Sequence, residues 1–455
     1  MPKSFFHHAL KINKDLCSGC MHCMKKCPTE AIRVRGGKAK LLPNRCIDCG
    51  ECFAVCPIAA ISIEHDDLNT IFDYEYRIAL VPAVLINQFK DDIPTSLIYQ
   101  IIKELGFTHV FEIEQMADFL IEEQHKYAIK HADVKPLISS FCPAIVRLIQ
   151  VKFPSLTENL VLLKPPVDLA AMYWKQILKK QGVSENQIGL FYITPCAAKI
   201  AALKTPVGED RSEVTGVINM DFIYNRILRK IKKKDCVDTE NTEPFKLSSR
   251  ASLWSTTEGE KRYMLGRSLA IDGVHHVNDF LEKVENDELP DVDYLELRAC
   301  DQSCAGGILL TGNRFLTVER MRKRAEDIKE MEQQNIAVKF EIDDDIADYM
   351  RQNERLQKVL PRSMVILDED RCIAMKKMAL IRELMEHLPG VDCGVCGAPS
   401  CQALAEDIAK VDAALINCIF LQTSMEGQGS MTAKERVETF RKVWGDKHEK
   451  QKKTK

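Results

Sequence analysis

Two four-cysteine runs near the start constrain this chain more than anything else in it. They are Cys17-x-x-Cys20-x-x-Cys23-x-x-x-Cys27-Pro28 and Cys46-x-x-Cys49-x-x-Cys52-x-x-x-Cys56-Pro57. That order of gaps wraps a [4Fe–4S] cubane: three thiolates on one tight loop take three corners, and in a two-cluster arrangement the fourth crosses to the other cluster. The spacing therefore predicts Cys17, Cys20, Cys23 and Cys56 around one cluster, and Cys46, Cys49, Cys52 and Cys27 around the other. A zinc module is the alternative, but it pairs two CxxC knuckles over a longer gap and has no use for the prolines. A chain so equipped moves electrons.

Cysteine usage extends the point. The chain has 18 cysteines, and its opening MPKSFFHHALKINKD lacks the apolar core of a secretory signal. Together these predict metal ligands in a reducing cytoplasm, not a disulfide framework. Sixteen fall into four groups of four, and Cys236 and Cys372 are left over as ordinary thiols. No apolar run approaches the ~18 residues of a membrane span. A net charge of −3 argues for neither nucleic acid nor an anionic membrane as the main partner. No GxGxxG follows a predicted strand, and no phosphate-binding GxxxxGK[ST] or metal-binding HExxH occurs, so a nucleotide-dependent oxidoreductase has little support.

With 455 residues there is room for about three domains at ~150 residues each. Residues 1–70 read as a ferredoxin-like α+β module. Residues 72–345 read as an α/β core, 346–390 as a helical connector, 391–425 as a small helical four-cysteine domain, and 426–455 as a basic tail expected to fray. Within the core, the apolar runs Ile78–Val84, Leu160–Leu163, Gly189–Thr194 and Asp293–Leu297 alternate with helical patterns such as Ser96–Leu105 and Ala144–Val151. That alternation predicts an α/β core of parallel sheets flanked by helices. Gly208–Gly216 and Asp235–Thr257 are polar enough to be surface loops, and Val318–Gln334 reads as a charged outer helix. The basic cluster Arg229, Lys230, Lys232, Lys233 and Lys234 reads as a solvated helix end, with an acidic docking partner as the alternative.

The third cysteine group is Cys393-x-x-Cys396-x4-Cys401-x16-Cys418, whose first three members lie on a glycine-rich loop that can wrap a cluster closely. Its fourth member is expected at the end of a helix Gln402–Leu415. Four cysteines also suit zinc, but the hard turns and the cubane runs upstream favour a further [4Fe–4S] cluster. The module resembles the four-cysteine iron–sulfur domain of corrinoid iron–sulfur proteins and of one subunit of membrane electron-transport complexes, which implies electron transfer. The fourth group is dispersed: Cys142, Cys196, and the pair Cys300 and Cys304. A lone buried cysteine is usually just a small apolar residue. Here, however, Cys196 and Cys300 directly follow predicted strands, and Cys142 precedes Pro143 at a helix start. Loops at the carboxyl ends of parallel strands converge on one site.

These three loops resemble, in order, the signature motifs of the [FeFe]-hydrogenases, and the likeness runs through the core, including Val81-Pro82-Ala83 and Ala117-Asp118. The resemblance implies a two-lobed core in which Cys142, Cys196, Cys300 and Cys304 hold a fourth [4Fe–4S] cubane. It also implies that Cys304 bridges to a two-iron subcluster carrying CO, cyanide and a small dithiolate. Lys199 matches the lysine that donates to a cyanide ligand; the bland alternative is a surface lysine after a strand.

The chain departs from the family where protons are handled. Phe141 stands in place of the cysteine that begins the proton relay. Alignment on Ala117-Asp118 puts Gln124, Tyr127 and Val161 at the other relay positions, and a one-residue shift would restore Glu123. Two methionines of the cavity wall become Thr194 and Arg298, and a Gly-Gly becomes Gln302-Ser303. A positioned acid or base contributes ~10²–10⁴ in rate, so the departures imply attenuated H2/proton chemistry. Arg298 is expected to place a permanent charge beside the cluster. The altered lining and the C-terminal module resemble the family's sensory branch, implying output through a redox partner such as a ferredoxin or oxidoreductase subunit, or through a signalling partner. The alternative is an iron–sulfur electron-transfer or scaffold protein that keeps only the cubane of the core site.

Overall fold

A computed structural model describes residues 6–233, 247–288, 291–334 and 340–445. Cys236, Lys234 and the closing KHEKQKKTK lie outside the described residues. The chain divides into two compact units, Met1–Ala9 with Glu64–Pro361, and Leu10–Ile63 with Arg362–Lys455.

The first unit carries two parallel sheets. One has the strand order His109–Glu112, Tyr76–Val81, Ile188–Thr194, Gly216–Asn219. The other runs Ser268–Asp272, Tyr294–Arg298, Leu137–Ile138. Every residue of Ile188–Thr194 and of Tyr294–Arg298 is buried. Such unbroken burial is what a parallel strand covered on both faces requires. Parallel neighbours also need crossovers, and the helices Thr95–Glu104, Ala197–Lys204 and Val274–Glu285 supply them.

Three expectations change here. Leu160–Leu163 forms no strand and pairs only through single bridges, Ile138 with Leu160 and Leu163 with Arg355. Its neighbouring strand is two residues long, and Pro165 and Pro166 follow at once, leaving no ladder to extend. The described part of Asp235–Thr257 is not a surface loop, because it forms the short helix Ser249–Ser252 and buries Trp254 completely. The charged helix, Arg314–Gln333, packs one face inward through Val318, Met321, Ala325 and Ile328, while Arg324 clasps the buried Glu112 with two hydrogen bonds of 2.8 Å. Of the basic cluster, Lys230 pairs with Glu104 at 2.6 Å.

In the second unit both cysteine runs fold with the C-terminal module. The hairpin Ile32–Arg35/Lys38–Leu41 separates the two runs, and Leu10–Ile12 pairs antiparallel with Ile61–Ile63. The helix Arg371–His387 packs on Cys401–Ala409 through Ile381, Leu384 and Leu388. Contrary to expectation, the helix after Cys401 stops at Ala409, with Val411 at a φ of 65°, and Cys418 starts the next helix, Ile419–Gly427. The tail does not fray from Thr432 either. A capping box between Thr432 and Glu435 opens the helix Ala433–Trp444, which buries Val443 and Trp444. No helix among the described residues is long and apolar enough to cross a membrane.

Candidate metal centre

Each dispersed cysteine of the core stands at a junction. Cys196 caps the helix Ala197–Lys204 two residues after a buried strand, and Cys142 caps Pro143–Lys152, with proline in the first turn. Cys300 and Cys304 flank a tight turn in which the Ser303 amide donates to the Cys300 carbonyl at 3.1 Å. Gln302 and Ser303 there adopt left-handed φ values of 63° and 52°. The Cys304 amide donates to the Ser255 carbonyl (3.2 Å), and Leu309 donates to the Pro195 carbonyl (3.0 Å), which ties the third loop to the second. Burial pushes the Cys196 thiol up to about 12, with Cys304 and Cys142 adding to the effect against Lys199. Cys142 is raised by burial too, again with Cys304 contributing and Arg298 opposing. Three thiols thus share one water-poor space with the fourth a turn away, and in such a place a bound metal supplies the charge that lets thiols deprotonate.

Lys199 is buried, not on the surface. Its Nζ lies 3.3 Å from the Tyr192 hydroxyl, 3.7 Å from Cys304 Sγ and 4.4 Å from the centre of the Phe141 ring. Burial works against the ammonium, but Cys304, Tyr192 and Cys196 outweigh it and hold the lysine above its ordinary range. Arg298 also sits on the Phe141 ring, at 4.2 Å. Its charge is not left open toward a cluster, as the sequence suggested. Nη2 is 3.0 Å from Glu260 and 3.6 Å from Glu296, and all three side chains are buried. Thr194 likewise turns its hydroxyl onto the Cys196 backbone, accepting from the amide at 3.3 Å and donating to the carbonyl at 3.1 Å.

Of the positions that the resemblance aligned with a proton relay, Phe141 and Val161 are buried apolar residues. Gln124 donates to Glu260 at 3.2 Å, and the Tyr127 hydroxyl reaches the Leu160 carbonyl at 3.5 Å. Glu123 is committed to Lys126 (2.6 Å) and Arg351 (3.4 Å). Ser303 Oγ, beside Cys304, and Trp254 Nε1, whose ring meets Phe141, are buried without a hydrogen-bond partner. With Lys199 beside Cys304, this donor set fits a group bearing anionic or carbonyl-type ligands. A cavity of about 90 Å³ opens next to it, lined by Phe141, Lys199, Pro143, Val146, Pro165 and Asp168 among others. Sequence reasoning missed Glu260, Tyr192 and Trp254. Tyr192 carried a signal, since it stands two residues before Thr194 on the same strand; Glu260 and Trp254 carried none.

The second unit holds the other twelve grouped cysteines in three clusters, with the exposed Cys372 apart from them. One cavity is lined by Cys17, Cys20, Cys23 and Cys56, and another by Cys27, Cys46, Cys49 and Cys52. The two runs repeat a detail: the Ala31 amide donates to Cys27 Sγ at 3.1 Å and the Ala60 amide to Cys56 Sγ at 3.2 Å. Amide bonds to sulfur are among the groups that set a cluster's potential. Cys396, Cys401 and Cys418 are buried in one apolar cluster, and Cys393 and Cys418 both act electrostatically on Cys396. Gly394 and Gly397 there have φ of 78°, the left-handed turns that bring three cysteines of a ten-residue loop together.

Comparison with known proteins gives three matches along the chain. Residues 78–267 match the family described as iron only hydrogenase large subunit, C-terminal domain, residues 9–57 a 4Fe-4S dicluster domain, and residues 388–420 an Fe-S cluster family. Iron hydrogenase 1 of Clostridium pasteurianum is 24% identical over 236 residues, which cover 49% of this chain and 38% of that protein. The NADP-reducing hydrogenase subunit HndD of Solidesulfovibrio fructosivorans is 26% identical over 151 residues, 30% of this chain and 25% of that one. The chain therefore spans well under half the length of these relatives. A solved structure of [FeFe]-hydrogenase HydA1 from Chlamydomonas reinhardtii aligns with 63% of this chain and 94% of its own, at a TM-score of 0.44 and 13% identity.

Proposed function

We propose that this chain, whose middle matches an iron-only hydrogenase large-subunit domain and whose two ends match iron–sulfur families, is a redox protein of [FeFe]-hydrogenase type with attenuated H2/proton chemistry and a sensory or regulatory role. On this reading Cys142, Cys196, Cys300 and Cys304 hold a cubane in the core. Cys17, Cys20, Cys23 and Cys56 hold a second, Cys27, Cys46, Cys49 and Cys52 a third, and Cys393, Cys396, Cys401 and Cys418 a fourth. The observation that carries it is the buried Lys199 ammonium 3.7 Å from Cys304 Sγ. A buried cation among thiols needs anionic company, which a cyanide-bearing two-iron group held beside Cys304 would provide. When bound, that group supplies the binding and heterolysis of H2.

The chain's own residues then restrain the chemistry. Lys199 orients the group, while Phe141 excludes water and offers no exchangeable proton. Arg298 is neutralised by Glu260 and Glu296 and serves to brace the Phe141 ring. The cysteines of the second unit would hold the cubanes that supply electron exchange with a redox or signalling partner. A second reading, the cubane-only scaffold, is favoured by the contact of Lys199 with Tyr192 and the Phe141 ring, which already engages the ammonium. Infrared spectroscopy of protein coexpressed with the maturation enzymes decides between them. Bound CO and cyanide bands with about eighteen irons per chain are expected, whereas a blank spectrum with about sixteen establishes the scaffold.

A further inference from the structure

The hairpin between the first two cysteine runs is shared by two sites. Val34 lines the cavity of Cys17, Cys20, Cys23 and Cys56, and its amide donates to the Gly397 carbonyl at 2.8 Å. Gly397 directly follows Cys396. Arg35 donates through Nη1 to the carbonyls of Gly397 (2.8 Å), Cys396 (3.3 Å) and its own neighbour Val34 (2.9 Å). A second bridge runs beside the first. A methyl group placed on Gly394, the residue after Cys393, would lie 3.1 Å from the side chain of Met24, the residue after Cys23. A third passes through Gly37, which a side chain on Gly19 would strike at 2.5 Å, and through Trp444, whose indole donates to the Val395 carbonyl at 2.9 Å. Ligand-bearing loops of the two sites thus meet directly at Met24 and Gly394, across Val34 alone, and across Gly37 and Trp444.

We infer that the C-terminal cubane exchanges electrons directly with the cubane of Cys17, Cys20, Cys23 and Cys56, and that Arg35 tunes the C-terminal partner by placing its guanidinium on the Cys396–Gly397 peptide. This rests on reading those eight cysteines as cluster ligands. The step is a one-electron exchange: one cubane passes from the 1+ to the 2+ state as the other passes from 2+ to 1+, with no bond made or broken and no proton moved. The electron enters from a low-potential one-electron donor, for which dithionite stands in below. Arg35 is a positioning and tuning residue. A permanent cation favours the more reduced, more negative cluster, so it raises that cluster's potential. Asp407 opposes it in part, but Asp407 is also held by Arg33 at 2.8 Å, so loss of Arg35 removes net positive charge.

The test is electron paramagnetic resonance of the dithionite-reduced full chain, with redox titration of each cubane. The full chain is expected to show spin–spin broadening that Cys418→Ala partly removes along with one cubane's signal. Broadening that survives Cys418→Ala unchanged, or no broadening at all, overturns the direct contact. Arg35→Gln is expected to shift the C-terminal cubane to lower potential and leave the others in place, with Arg35→Lys recovering part of the shift. An unchanged midpoint overturns the tuning role. Should Cys418→Ala lose iron from every site, the Arg35 series alone decides the inference, against it if the midpoint stays put. Both readouts use only these cubanes, so absence of the two-iron group leaves them unmoved and would count against the proposed function alone.

Discussion

At position 141 a phenyl ring stands where the proposed chemistry would use a group able to exchange protons, and its neighbours fit the ring. Lys199 and Arg298 both rest on it, and Trp254 meets it edge-on with centroids 6.4 Å apart. Phe141→Cys would restore an exchangeable proton while opening a void, and truncating a buried aromatic costs about 3–5 kcal/mol. In maturase-coexpressed protein we expect higher H2 evolution together with a lower melting temperature; a gas-chromatographic assay beside a thermal scan reads both. A second residue-scale prediction concerns pH. Burial, then Glu209, raises the Asp168 carboxyl to about 7 from its ordinary 3.8. Between those values the folded state binds more protons than the unfolded one, so this group's contribution to stability falls as pH rises and is lowest above the folded value. Asp168→Asn removes that cost, and its stabilisation over the parent should grow by about 2 kcal/mol between about pH 5.5 and pH 8, at 1.36 kcal/mol per pKa unit. Denaturant unfolding at the two pH values measures it. The sequence made Phe141 and Arg298 legible as oddities, because they interrupt a motif. It left the partner of Arg298 hidden, since Glu260 arrives from a loop 38 residues away and no local pattern marks it.

Secondary elements were readable where burial leaves a periodic trace. The runs at Ile188–Thr194 and Tyr294–Arg298 are unbroken and apolar enough to announce buried strands, and the cysteines that follow them inherit that clarity. Leu160–Leu163 is equally apolar but has almost no strand to pair with, a fact of tertiary geometry that composition does not carry. The turn Ser303–Gly306 was readable only as spacing between two cysteines, and its geometry is demanding. A side chain at Gly306 would stand 1.8 Å from the Asp301 carbonyl oxygen, an impossible contact with backbone. Gly306→Ala should therefore displace Cys304 and lose about four irons per chain, the content of one cubane. Gly427→Ala, at a site with nothing within 4 Å of the added carbon, should keep its full iron. Colorimetric iron and sulfide assays on the two variants provide the comparison.

Across the whole molecule, what the sequence hid was the partnership of its two ends. Cysteine spacing located three sites in residues 17–56 and 393–418, yet nothing local relates positions nearly 400 apart. Charge joins them: Arg33, 3% exposed, bonds Asp407 at 2.8 Å, and Arg35 shares the same carboxylate, while Arg45 pairs with Glu406. Removing one partner from a buried pair costs about 3–5 kcal/mol, because the other charge stays uncompensated. Asp407→Asn should accordingly expose the hairpin Ile32–Arg35/Lys38–Leu41 to limited proteolysis and accelerate loss of cluster absorbance in denaturant, and a variant as resistant as the parent would contradict this. The discontinuous unit also has a consequence for the ribosome. Its first segment ends at Ile63 and its second begins at Arg362, so roughly 300 residues must be translated in between, about 15–60 s at ~5–20 residues per second. During that interval the nascent amino-terminal segment waits with Arg33 and the tip glycines of its hairpin unclasped, while the intervening unit is free to fold first.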